Sequence, residues 1–377
     1  MPDATALHVA MVNVNEALFD RPLGDDATVL RQLGARVGRL SVIVLTSTPR
    51  QPVDLTPNVR LVPVHAPSRL RAVPSLRRTL AACHREHPID LVQAQEAPFT
   101  GLIAWTVSRR IGSRLIVGVF GSDPGDRGFR RASPGHRVAS PVAAFVLRRA
   151  DAVQTDSRVT ETRLSERGLP AHYKPMTPAN LTDFLHAGAR RSYAPQATRV
   201  LFVGRLGRQK RIALLLEAFA VLRLQRDDVR LTIVGDGPDR AAIEDWIGER
   251  ELGGDVELRG QVTHAALPDV YLEADVLAMS SHYEGMPRAF LEAGATGLPI
   301  VSTLVSGAQE LARDAPLWLL PDDAEGYAAG LASALDDLDR RRSCGELLHA
   351  AVERRLGDPE PPEWQVSIWC EVCASGV

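Results

Sequence analysis

Two glutamates, Glu284 and Glu292, stand with seven residues between them in the run SSHYEGMPRAFLEAGATGLPIVST. The apolar stretch Val276 to Met279 reads as a strand that brings Glu284 to the edge of a sheet. Gly285 lets the backbone approach a ligand, and Pro287 suits the first turn of a helix. A diphosphate is the natural occupant of such a helix start, where unpaired N–H groups meet partial positive charge. Glu292, in the second turn, can accept two hydrogen bonds from neighbouring hydroxyls, as a ribose presents them. The plain alternative is a pair of solvated glutamates beside a helix start.

A second constellation lies in LFVGRLGRQKRIALLLEAF, where a strand ends at Gly204 and Arg205 and Lys210 follows just before a helix. Arg205 can grip phosphate oxygens with two donors, while Lys210 adds a compact point charge. Together they would neutralise charge developing on a leaving group. The chain holds only two lysines, Lys174 and Lys210, against 42 arginines, so a lysine at this position is not compositional noise. Two cations and a helix dipole make a divalent metal unnecessary. The one DxD, at Asp337 and Asp339, sits in a charged helical stretch and reads as a solvated face. No His pair and no Ser/His/Asp set suggests hydrolysis.

EGMPRAFLEAGATGLPIV resembles the signature of family 4 glycosyltransferases, retaining enzymes of the GT-B fold. By that resemblance Glu292 binds the donor ribose, Glu284 lies beside the transferred sugar, and Gly285, Met286 and Pro287 line the donor site. Gly204, Arg205 and Lys210 face its diphosphate. VGDGPDR, with Gly235 and Asp236, resembles the turn that approaches the base, and LRGQVTHAAL offers Gly260 and Val262 as backbone contacts. SGAQE, Ser306 to Glu310, stands where the family often has GGxxE. In the first half, Gly24 is what remains of a glycine-paired loop that touches the donor phosphates. VFGSD places Phe120 where the family has a histidine near the reacting sugar, followed by Asp123, a partner for an acceptor hydroxyl or a turn cap. PANLTDF, Pro178 to Phe184, matches the stretch before the interdomain linker.

Behind these motifs, both halves alternate β-rich apolar runs with helical periodicities, which implies parallel sheets. The expected fold is α/β, of GT-B type, with two Rossmann-like doubly wound domains facing each other across a cleft. Residues 1–188 form the acceptor-side domain, 189–356 the nucleotide-sugar domain, and 357–377 a helix packing back on the first. ARRSYAPQAT, residues 189–198, reads as the linker, and Pro74 as an interruption of any helix through the Arg69, Arg71, Arg77 and Arg78 cluster. Cys370 and Cys373 form a CxxC without a second ligand pair, which reads as helix packing rather than metal binding.

With 377 residues, 45% of them hydrophobic, the chain can bury two cores. Four scattered cysteines do not make a disulfide framework, and no apolar stretch approaches bilayer length, which places the chain in the cytoplasm. Residues 1–184 carry 24 Lys and Arg against 16 Asp and Glu, and the remainder 20 against 30. A basic first half suits an anionic acceptor or the inner face of a membrane, although solvated surface charge is the preferred explanation.

The expected reaction is metal-independent transfer of a sugar from a nucleotide diphosphate sugar to a hydroxyl of a glycan, a lipid-linked intermediate or a small metabolite. Family grounds favour a uridine donor over a guanosine one. A sugar-nucleotide epimerase or phosphorylase, and a transferase-like binding protein, are the rival readings. Neither nucleic-acid partner nor bound cofactor is expected.

Overall fold

The computed structural model describes residues 3–20, 25–66, 68–121, 123–175, 181–356 and 361–375. The chain divides into two units, Met1–Pro175 with Pro359–Val377, and Met176–Asp358.

The first unit is built on eight strands in the order β3-β4-β2-β1-β5-β6-β7-β8. They are β1 (His8–Asn13), β2 (Arg39–Thr46), β3 (Val53–Thr56), β4 (Val59–His65), β5 (Leu91–Ala94), β6 (Arg114–Val119), β7 (Ala152–Thr155) and β8 (Ala171–Tyr173). All neighbours are parallel except β3, which runs antiparallel to β4 at the edge. The central strands are apolar on both faces because helices cover both sides, and Val9, Val12, Val42, Ile43 and Val92 are fully buried.

Under the helix Pro361–Ala374, Trp369 is fully buried and donates its indole N–H to Gln93 Oε1 at 2.7 Å. Gln93 donates to Gln154 at 2.9 Å and Gln154 to Gln365 at 3.0 Å. A chain of amides thus fastens this C-terminal helix to β5 and β7, with each buried polar group partnered. Cys370 and Cys373 are free thiols on the same helix.

The second unit carries six parallel strands in the order β11-β10-β9-β12-β13-β14. They are β9 (Arg199–Val203), β10 (Arg230–Val234), β11 (Val256–Gly260), β12 (Val276–Met279), β13 (Ile300–Thr303) and β14 (Trp318–Leu320). The order reverses between β9 and β12, the position at whose carboxyl side doubly wound sheets bind ligands. Phe202, Phe219, Tyr271, Phe290 and Tyr327 fill the core.

Three differences from the sequence reading have physical reasons. Strands β3 and β8 escape it because they lie at sheet edges and are only partly buried, so VDLT and AHY lack the apolar run that marks the similarly short β12, and β14 spans only three residues. Pro74 does not interrupt its segment, because the helix Arg69–Glu86 runs through it. One lost hydrogen bond near the helix start is outweighed by burial of Ala72, Leu76 and Leu80. The second unit also begins before residues 189–198, since Leu181 and Phe184 of the helix Leu181–Gly188 belong to its core.

Candidate active site

Glycines shape the carboxyl ends of the central strands of the second unit. Gly235 follows β10 at φ 134°, a backbone conformation that L side chains rarely adopt, and a Cβ there would collide with the Gly204 carbonyl after β9. The two strand ends therefore meet backbone to backbone. They open into a cavity of about 650 Å³ lined by Gly204, Arg205, Gly235, Asp236, Gln261 and Val262. Arg205 is exposed at its rim. Gly260, also at positive φ, closes β11.

Lys210 precedes the helix Ile212–Gln225, which starts without a side-chain cap. Its ammonium lies 2.7 Å from Glu284 Oε1, with the two side chains only 16% and 10% exposed. Ser281 Oγ donates to the same carboxylate oxygen at 2.9 Å. The Lys210 loop is tied to the Glu284 loop by backbone and side-chain bonds: His282 N to Gln209 O, Gln209 Nε2 to Tyr283 O, and Ser280 Oγ to the Lys210 carbonyl. Burial, followed by Arg211 and Arg208, pushes the His282 imidazole below its ordinary range.

Gly285, Met286 and Pro287 form the turn into the helix Arg288–Ala295, and Pro287 gives its start no side-chain cap. Gly307 packs directly on this turn, where a Cβ would collide with the Gly285 carbonyl. This is the glycine that SGAQE retains.

Glu292 is 3% exposed. Its Oε2 accepts from Tyr271 Oη at 2.8 Å and its Oε1 from Arg288 Nε at 3.0 Å, with His264 Nε2 at 3.7 Å. Burial and the adjacent Glu292 carboxylate push the Tyr271 phenol well above its usual range, which keeps it a donor. Sequence reasoning missed Tyr271, Arg288, His264 and Ser281. Of these, Arg288 had a visible signal, its i,i+4 spacing to Glu292.

Residues 191–347 match the glycosyl transferases group 1 family, and residues 26–175 the glycosyl transferase 4-like domain. One glycosyltransferase family match thus falls in each of the two units. It is 28% identical over 349 residues to the GDP-mannose-dependent alpha-mannosyltransferase of Mycolicibacterium smegmatis, covering 87% of this chain and 89% of that one. With two further curated glycosyltransferases the match spans only 36% and 39% of the relative. Among solved structures, sucrose-phosphate synthase from Thermosynechococcus elongatus matches with a TM-score of 0.78 at 21% identity, covering 98% of this chain and all of that one. Anabaena HepE in complex with UDP and glucose matches with a TM-score of 0.67 at 17% identity, covering 98% of this chain and 100% of that one. These likenesses give the glycosyltransferase its fold, GT-B.

In the first unit of the glycosyltransferase, Asp123 follows β6 and is 7% exposed. Its Oδ1 accepts from Gly125 N and from Arg167 Nη1, each at 2.9 Å, so it shapes the turn into the helix Arg127–Ala132. The Phe120 ring folds back over Gly118 of β6. Gly24 and residues 178–180 lie outside the described residues. Among the described residues no group of three or more His, Cys, Asp or Glu side chains could hold a metal ion, and Asp337 caps a helix through the Arg340 N–H. No described helix is long and apolar enough to cross a membrane. Arg71, Arg78, Arg127, Arg130, Arg131 and Arg137 are exposed.

Proposed function

We propose that the protein is a metal-independent, retaining glycosyltransferase that binds a nucleoside diphosphate sugar at the carboxyl ends of β9, β10 and β12. The observation that carries this reading is the Lys210–Glu284 pair at 2.7 Å beside two uncapped helix starts. Lys210, Arg205 and the backbone N–H groups of Arg288 and Ala289 would take the diphosphate oxygens. Glu284 would accept a hydroxyl of the transferred sugar. Glu292 would take the ribose hydroxyls, sharing Oε1 with Arg288. Gly235, Asp236, Gly260 and Val262 would face the base.

In the reaction, an acceptor hydroxyl attacks the anomeric carbon from the side of the departing diphosphate. The bond from that carbon to the β-phosphate oxygen breaks, and the hydroxyl proton passes to the departing oxygen. Configuration is retained, and positioning with charge stabilisation supplies the acceleration. Asp123 serves the acceptor side through the turn it holds.

The mannosyltransferase relative is GDP-mannose-dependent, and HepE was solved with UDP, so guanosine and uridine are the two bases to separate. Thermal melts of the full chain with UDP, GDP, ADP and dTDP sugars, in the presence of a chelator, test the reading. One nucleotide should raise Tm by mass action, and Glu292→Ala should abolish the rise. No shift with any nucleotide at millimolar concentration would overturn the donor site.

A further inference from the structure

In the first unit, the helix Pro134–Leu147 packs Ala143, Val146 and Leu147 into the core with Val117 of β6 and Val153 of β7. An amphipathic helix of this kind is expected to turn polar residues outward. Instead Val138 is 74% exposed and Phe145 36%, with exposed Pro141 between them. Spaced at i, i+3 and i+7, the three fall on one stripe of the helix. Trp105 of the helix Leu102–Ile111 extends that stripe, its ring meeting Phe145 edge to face at 5.0 Å.

The charges around the stripe have one sign. Neither helix contains an Asp or a Glu. Arg137, Arg148 and Arg149 border the stripe, Arg109 lies one turn on from Trp105, and all four are exposed. No ion pair joins any of the four to a carboxylate among the described residues. The acids nearest in sequence are already held: Asp126 caps the helix Arg127–Ala132, and Asp151 pairs with Arg114 at 2.7 Å. The Arg149 guanidinium instead lies 3.6 Å over the Phe145 ring. The helix Arg69–Glu86 exposes arginines too, but among its described residues no large hydrophobic side chain is exposed.

This combination selects the occupant. A second copy of the chain, docking through the same face about a two-fold axis, would set these four cations against four like charges. A protein partner would have to supply a groove for the ridge on which Val138 projects into solvent, together with carboxylates matched to each arginine. A lipid surface accepts a ridge without a pocket. Val138 and Pro141 reach the acyl boundary, Phe145 and Trp105 sit at head-group depth, and the arginines extend their stems to bring guanidinium groups to lipid phosphates.

We propose that the outer face of the helix Pro134–Leu147, together with Trp105, docks the first unit onto a lipid bilayer rich in anionic head groups. The stripe runs along the helix, and 14 residues are too few to span a bilayer, so the helix lies in the plane of the interface. The surface uses no donor-site residue and is independent of the glycosyltransferase reading.

Flotation of the full chain with vesicles tests the proposal, using phosphatidylcholine alone and a mixture of phosphatidylcholine with phosphatidylglycerol. Wild type binds the anionic vesicles more tightly than the neutral ones by about a hundredfold or more, and high salt reduces the difference. Arg137→Gln combined with Arg148→Gln weakens anionic binding roughly 25-fold, about fivefold for each arginine. Val138→Asp weakens it roughly tenfold or more and leaves Tm unchanged, because the side chain is exposed. Brominated acyl chains quench tryptophan fluorescence in wild type, and Trp105→Phe removes that quenching, since Trp318 and Trp369 are buried. The proposal is overturned if wild type floats no better with anionic than with neutral vesicles. It is overturned as well if Val138→Asp, folded by its Tm, floats as wild type does, which would leave a purely electrostatic surface for an acidic macromolecule. Self-association of wild type that Val138→Asp abolishes, without flotation, would assign the face to a second copy instead.

Discussion

The two units treat the polar groups at their strand ends in opposite ways. In the second unit, Glu284 holds Lys210 and Ser281, and Glu292 holds Tyr271 and Arg288, so the charged groups fix one another before any ligand arrives. In the first unit, the Thr46 hydroxyl at the end of β2 holds nothing. A site that stabilises developing charge gains from groups locked in place, because no reorganisation is then needed during reaction. Preorganisation thus belongs to the strand ends of the second unit.

The sharpest way to break this contrast is Lys210→Ala. In the proposed complex the lysine would supply a charge-assisted contact to the diphosphate; it is the cation on Glu284, a side chain only 10% exposed. Loss of a hydrogen bond to a charged group costs about 1.5–3 kcal/mol, or roughly 10- to 150-fold in Kd for UDP or GDP by calorimetry. If nucleotide affinity survives Lys210→Ala within about twofold, the pair is a structural ion pair and the preorganisation argument fails.

The same contrast explains what could be read in the sequence. Glu284, Gly285, Pro287 and Glu292 sit within nine residues, and Arg205 and Lys210 within six, because a strand-end turn and the helix start that follows it are contiguous chain. Parallel strands of both units were legible as well, since burial on both faces writes unbroken apolar runs such as VLFV and VLAM. Tyr271 was not, because a tyrosine in a helix reads as core until its hydroxyl is seen against Glu292. Trp105 and Phe145 are ordinary residues of different helices, joined only where those helices pack. The glutamine chain beneath Trp369 was hidden for the same reason: Gln93 and Gln154 sit 61 positions apart on β5 and β7.

A smaller effect is expected from Tyr271→Phe, which tests whether Glu292 is held by its partners or merely sits among them. The phenol is fully buried and donates at 2.8 Å to Oε2. Its removal leaves a buried carboxylate oxygen short of a donor, at a cost of about 1–3 kcal/mol. For a unit of this size that lowers Tm by several degrees, roughly 2–4 °C per kcal/mol. Nucleotide affinity should fall with it, because Glu292 is then free to turn. A lowered Tm with unchanged nucleotide affinity would show that Glu292 needs no orientation by Tyr271.

The smallest effect concerns acid, and it sets the interior of the first unit against the donor site of the second. His8 at the start of β1 is 5% exposed, with Nδ1 at 3.0 Å from the His87 carbonyl and Nε2 at 2.9 Å from Ser41 Oγ. Burial holds its imidazole below the ordinary value of 6.5, although the backbone carbonyls pull the other way. Below pH 6.5 the unfolded chain therefore binds a proton that the folded chain refuses, and stability falls as pH drops through that range. The slope from one such group is at most about 1.4 kcal/mol per pH unit. Because His282 is shifted in the same direction, wild type should lose Tm between pH 7 and 5, and His8→Gln should flatten part of that loss. Saturating nucleotide should leave the His8 part untouched. An unchanged pH slope in His8→Gln would mean that the backbone carbonyls, not burial, govern this imidazole.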